Sequence, residues 1–300
     1  MKIAGAYTAL ITPFMPDQEL DIPAFKELLQ MQCEAGIDGI VILGTTGEAA
    51  TIDDDERELL IQVAANTVQG RTPLLVGCGT YSTKKTVFYA RQAQMLGADA
   101  VLVVTPYYNR PSQEGLFQHY RAVAESITIP CCIYNIPTRT GQNIAPATVA
   151  RLMHISNIIA IKEDNIQQVP DSIEQIMKQD RAFTLMASSD SATLSVMALG
   201  GHGIISVISN LVPHRVKQLV TAIENGNLKE AQQCYYSLKP LVEMAFIETN
   251  PVPIKRMMEH AGLCHATVRL PLVPLQTTND LLLQQLFKDE IWNEIRTLAR

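Results

Sequence analysis

Eight short apolar runs, each trailed by a helical pattern, predict an α/β chain folded as a (β/α)8 TIM barrel with a C-terminal helical domain. The runs are continuous rather than alternating, as parallel strands covered on both faces require. They start between residues 6 and 203, at intervals of roughly 20 to 35 residues, the spacing of βα units.

In order, the runs are AYTALIT (6–12), GIVILG (39–44), PLLVG (73–77), DAVLVVTP (99–106), PCCIYN (130–135), NIIAIK (157–162), FTLMA (183–187) and GIISV (203–207). Between them, segments such as AFKELLQMQCEAG (24–36) and TKKTVFYARQAQMLGA (83–98) carry apolar residues at helical spacing. They stop at or beside Gly36 and Gly97, a helix-terminating signal. A doubly wound open sheet is the alternative, because periodicity alone does not show closure. The barrel pattern ends near Gly226, so residues 1–226 are expected to form a catalytic barrel and 227–300 a helical domain. Three further helices are read there, in 227–246, 251–262 and 279–299. Leu281, Leu282, Gln285, Leu286 and Ile291 are expected to form the apolar stripe of the last one.

A hydrophobic fraction of 47% suits a chain with a sizeable core. A net charge of −6 argues against a dedicated nucleic-acid binder but not against small anionic substrates, which a few placed cations can hold. No stretch approaches the roughly 20 apolar residues that span a bilayer. The opening MKIAGAYTALITPF reads as a first strand rather than a signal peptide. Six cysteines form no C-x-x-C pair, and six scattered histidines form no H-E-x-x-H pair, so no metal site is expected. Reduced thiols in a cytoplasmic protein fit best. Cys131 and Cys132, adjacent in one strand, should face opposite sides.

In a barrel, reactive groups stand at the C-terminal ends of strands. Those positions hold Gly44-Thr45-Thr46-Gly47-Glu48, then Tyr107-Tyr108-Asn109-Arg110, then Tyr134 and Asn135 with Arg139 beyond, then Lys162, then Ser188-Ser189-Asp190. Lys162 follows Ile158, Ile159, Ala160 and Ile161 and so emerges from the apolar barrel wall. Burial disfavours an ammonium, and a neutral lysine amine can attack a ketone and form an imine. The alternative is a lysine paired with Glu163 or Asp164. Tyr134 should neighbour Lys162 and can shuttle protons, or it can simply hold its hydroxyl in water. Arg139 offers a fork for a carboxylate, or is a surface arginine in a proline-containing loop. The Gly44–Glu48 loop offers N–H groups to an anion and lacks P-loop spacing.

Several of these segments resemble one known family. Gly44-Thr45-Thr46-Gly47-Glu48, Thr105-Pro106-Tyr107-Tyr108-Asn109-Arg110-Pro111, Tyr134-Asn135-Ile136-Pro137-Thr138-Arg139-Thr140-Gly141 and Ile159-Ala160-Ile161-Lys162-Glu163 look like the dihydrodipicolinate synthases, within the class I pyruvate-dependent aldolases. Gly200–Ser206 and Asn250-Pro251-Val252-Pro253-Ile254-Lys255 extend the resemblance over nearly the whole chain. It implies condensation of pyruvate with L-aspartate 4-semialdehyde, without metal or organic cofactor. Lys162 would form the imine, and Tyr134, Thr45 and Tyr108 the proton relay, with Tyr108 reaching a neighbouring subunit. Thr46 would help bind pyruvate, Arg139 the semialdehyde carboxylate, and the main chain at Ile205 would line the pocket. A homotetramer of two tight dimers is implied. N-acetylneuraminate lyase and sugar-acid aldolases share the lysine and tyrosine, and typically carry an apolar residue where Arg139 stands. A keto-acid-binding barrel without turnover is a third reading.

The chain departs from the family pattern at Asp164, Asn165 and Ile166, where Ala-(Ser/Thr)-Gly is usual, and at Ser188-Ser189-Asp190, where Gly-Asp-Asp is usual. Where lysine-inhibited members bind their effector through histidines, an asparagine and a glutamate, this chain has Ala49, Asp54, Arg57, Tyr81 and Lys85. Lys85 would meet the effector's ammonium with a like charge, so weak or absent lysine feedback is expected.

Overall fold

The computed structural model describes residues 1–287. Eight parallel strands close in sequence order: β1 (Gly5–Ala9), β2 (Gly39–Ile42), β3 (Leu74–Gly77), β4 (Ala100–Val104), β5 (Cys131–Asn135), β6 (Ile158–Glu163), β7 (Thr184–Ala187) and β8 (Gly203–Ser206). The seam pairs β1 with β8, from Gly5 opposite Gly203 to Thr8 opposite Ser206. Closure rules out the open doubly wound sheet. Glycine is required at the seam. A Cβ on Gly203 would lie 2.0 Å from the carbonyl oxygen of Gly5, and its φ of +147° disfavours any side chain.

The continuous apolar runs serve two cores. Tyr7, Val41, Leu75, Leu102, Cys132, Met186 and Ile205 fill the barrel interior. Ile40, Val76, Val101, Cys131, Ile161 and Leu185 point outward against the helices. Cys131 and Cys132 therefore face opposite sides, as pleating requires. Helices alternate with the strands. The first, Ile22–Glu34, is capped by the Asp21 side chain accepting from the Ala24 N–H. Asp54–Val68 opens with a capping box of Asp53 and Glu56 and three acidic residues in its first turn, which suits the positive end of the helix dipole.

After β8 come helices at Pro213–Glu224, which completes the barrel's outer layer, and then at Leu228–Ala245, Val252–His260 and Thr277–Leu286. On the last, Leu283 is fully buried and Leu286 packs partly against the core, while Leu281 and Leu282 are exposed. The buried face is thus set by an i, i+3 pair, of which the expected stripe named Leu286 and missed Leu283. Ile291 and the rest of 288–300 lie outside the described residues.

Charges lock this region to the barrel. Lys255 is 0% exposed; its ammonium meets the equally buried Glu48 carboxylate and lies 4.0 Å from the Phe14 ring centre. The other Glu48 oxygen accepts from the Arg269 N–H at 3.1 Å. The Arg269 guanidinium pairs with Glu56 and also lies against Phe14, 4.3 Å from the ring centre. So the Glu48 carboxylate, in a residue of left-handed backbone at the end of the Gly44–Glu48 loop, is spent on structure.

Candidate active site

The β5–β6 register sets Tyr134 opposite Lys162. Ala160 faces the barrel interior and Ile161 the helices, so Lys162 faces inward and Glu163 outward. The Lys162 Nζ lies 4.3 Å from the centre of the Tyr134 ring. Both residues are buried, at 6% and 5% exposure. The neighbouring carboxylates are engaged elsewhere. Glu163 accepts from Asn135 Nδ2 and Gln168 Nε2, each at 2.8 Å, and from the Asn165 N–H at 2.7 Å. Asp164 accepts from the Thr138 hydroxyl at 3.3 Å. The lysine is therefore not tied up by the residues that follow it. Burial pushes the Glu163 carboxyl up to about 7, against the three hydrogen bonds that pull it down.

Thr45 and Thr46 follow β2 across a turn in which Leu43 adopts φ +55°. Arg139 rides on a short helix, Pro137–Thr140, directly after β5. A cavity of about 240 Å3 brings together Thr45, Thr46, Tyr134, Arg139, Lys162 and Ser188. Side chains from four different strand ends thus converge, in a space suited to a small substrate. Thr45, Tyr134, Arg139 and Asn250 also border a larger cleft of about 750 Å3 that runs out to Asp54, Tyr81 and Lys85.

Ile205 lies in the packed barrel interior, and Val207, two residues on, reaches the cavity wall. Tyr108 is 92% exposed, with φ +72°, and lines neither space. Its neighbour Tyr107 borders the larger cleft and meets Tyr81 edge-on, ring centres 5.6 Å apart. In the cleft, Lys85 Nζ stands 3.6 Å from Asp54, and the Asp54 carboxylate accepts from the Tyr89 hydroxyl at 2.5 Å. That hydrogen bond, followed by the Lys85 charge, holds the Asp54 carboxyl below its ordinary range.

One contributor escaped the strand-end reading. Asn250, beyond the barrel, donates from Nδ2 to the Thr46 hydroxyl at 2.9 Å and accepts at its carbonyl from Arg139 Nη2 at 3.2 Å. Asp190, which the strand-end reading did include, is buried outside the cavity, accepting from the Ser206 hydroxyl and from the Val207 N–H at 2.9 Å. Only the Asn-Pro-x-Pro-x-Lys segment of the resemblance hinted at Asn250. Among the described residues no three His, Cys, Asp or Glu side chains are grouped to hold a metal ion, and no helix is long and apolar enough to cross a membrane.

Residues 2–290 match the model of the dihydrodipicolinate synthetase family. The chain is 44% identical over 291 residues to 4-hydroxy-tetrahydrodipicolinate synthase of Protochlamydia amoebophila, covering 96% of this chain and 97% of that one. It is 46% identical over 277 residues to the enzyme of the same name from Syntrophus aciditrophicus, covering 92% and 94%. Among solved structures, dihydrodipicolinate synthase from Thermotoga maritima superposes with a TM-score of 0.93 at 39% identity, over 96% of this chain and 98% of that one. A synthase from Cyanidioschyzon merolae with lysine bound gives 0.91 at 32% identity, over 96% and 98%.

Proposed function

The chain belongs to the dihydrodipicolinate synthetase family, and from that premise we propose that it condenses pyruvate with L-aspartate 4-semialdehyde through an imine at Lys162. It is an enzyme, a lyase-class synthase of diaminopimelate and lysine biosynthesis. The observation that carries the mechanism is a buried lysine amine against the Tyr134 ring, facing a small cavity that also holds Arg139.

The Lys162 amine adds to the pyruvate ketone and gives a carbinolamine. Its hydroxyl leaves as water, taking the proton of Tyr134, while the nitrogen lone pair completes the iminium. The Tyr134 phenolate then removes a methyl proton, regenerating the phenol and leaving an enamine. The enamine carbon attacks the aldehyde of the second substrate. Thr46 and the N–H groups of its loop would hold the pyruvate carboxylate, and Arg139 the carboxylate of the semialdehyde. Arg139, held by the Asn250 carbonyl, favours this acceptor over the neutral sugars of related lyases. The reaction draws on lysine chemistry alone, with no cofactor.

Thr45 and Tyr108 complete the proposed relay. Tyr108, exposed and outside its own cavity, fits a residue donated to a neighbouring subunit of a homotetramer built from two tight dimers. One related solved protein is described as a monomeric variant, so sedimentation velocity decides the assembly; a monomer at working concentration would remove Tyr108 from the relay. We read residues 1–226 as the catalytic barrel, 227–300 as its helical domain, and the cytoplasm as its location. Limited proteolysis reads the division and cell fractionation the location; resistance to cleavage near 226, or recovery outside the soluble fraction, would count against them.

Intact-mass analysis after borohydride reduction with pyruvate tests the mechanism. A pyruvyl adduct is expected on the native protein and not on folded Lys162→Ala. An adduct on both proteins would move the imine to another lysine, and none on either would remove imine chemistry.

A further inference from the structure

We propose that Ser188 is a positioning residue for the imine chemistry: its hydroxyl, donating to Tyr134, aims the phenolic proton at the reacting oxygen and steadies the phenolate once that proton has left. The inference rests on the imine reading above and adds a residue to it.

The geometry begins with parity. Met186, which the register sets opposite Lys162, points into the barrel and Ala187 out to the helices, so Ser188 points inward at the next inward position. Its backbone is fixed, because the Ser188 N–H donates to the Glu163 carbonyl at 3.1 Å and so continues the β6–β7 ladder past the last strand residue. Tyr134, Lys162 and Ser188 thus come from three adjacent strands, β5, β6 and β7, and meet in one cavity.

Ser188 Oγ donates to Tyr134 Oη at 3.3 Å, and the serine is buried. With one lone pair of its oxygen so engaged, Tyr134 keeps its own proton for another acceptor. Lys162 stands over the ring, so that acceptor is the oxygen on the carbon bonded to Nζ. The distance exceeds the ~2.7–2.8 Å of a fully formed hydroxyl pair. Catalytic hydrogen bonds of this kind shorten as charge develops on the acceptor.

The step balances without the serine changing its covalent state. In dehydration the proton moves from Tyr134 to the leaving hydroxyl, water departs, and the negative charge rests on Tyr134 Oη. Ser188 keeps its proton and shares it with that oxygen. In the next step the methyl proton of the iminium returns to Tyr134, and the Ser188 contact relaxes. A hydrogen bond that strengthens only while charge is present speeds the step and leaves substrate binding alone.

The experiment follows borohydride-trapped pyruvyl adduct against time in the native protein, Ser188→Ala and Ser188→Thr, with steady-state kcat and KM for pyruvate. Ser188→Ala should slow adduct formation and kcat about five- to tenfold, as expected for one lost hydrogen bond to a developing charge. Final adduct yield and KM should hold, and Ser188→Thr should restore most of the rate. Equal rates in native protein and Ser188→Ala overturn the inference and leave the imine intact. So does a threonine variant as slow as alanine, which marks the serine as packing only. A native protein that traps no pyruvate at all overturns the imine reading and this inference with it.

Discussion

At the scale of single residues, Lys162 and Glu163 show how parity assigns chemistry. Adjacent in sequence, they face opposite sides of one strand, and each does what its side demands. Lys162 enters the cavity. Glu163 sits among Asn135, Gln168 and Asn165, where burial raises its carboxyl to about 7 from an ordinary 4.5. Between those values the folded chain keeps a proton that the unfolded chain has lost, so this group makes stability fall as pH rises through that window and leaves it level above. Urea midpoints at pH 5 and pH 8 should therefore differ less in Glu163→Gln than in the native chain. An unchanged difference would place the pH dependence elsewhere. Lys162 was legible because a lysine ending a run of isoleucines stands out. Asn250 was not, because its contacts with Thr46 and Arg139 join positions 204 and 111 residues away.

At the scale of elements, the eight strands were readable from their apolar runs because a doubly covered strand tolerates nothing else. Their partners were not readable, since closure depends on how β8 meets β1. That seam needs Gly203. Gly203→Ala would set a methyl against the Gly5 carbonyl in a backbone conformation that alanine avoids. The expected loss is about 3 kcal/mol or more, read as a lower urea midpoint. A variant as stable as the native chain would mean that the seam opens at little cost. The last helix teaches the converse. Four apolar or amide positions in Leu281–Leu286 were grouped by spacing, yet the buried residue is Leu283, because the surface it lands on selects the face.

At the scale of the whole molecule, the active cavity adjoins a larger cleft that reaches Asp54 and Lys85, the two sharing Thr45, Tyr134 and Arg139. In this chain the far end holds its own ion pair, with Tyr89 completing it. An incoming ammonium would face Lys85 and compete for an Asp54 already engaged. We therefore expect millimolar L-lysine to leave steady-state turnover unchanged, and half-inhibition at submillimolar lysine would refute this. The related C. merolae synthase with lysine bound offers the comparison for the same assay.

Asn250, Lys255 and Arg269 all lie past the last strand, yet one borders the cavity and two clasp the loop that carries Thr45 and Thr46. Catalysis and scaffold are accordingly not modular in this chain. A chimera that joins its first 226 residues to the closing helices of a relative would carry a foreign residue into its own pocket. Recombination among such enzymes should succeed at crossovers that keep the Gly44–Glu48 loop and its distant clasp in the same parent.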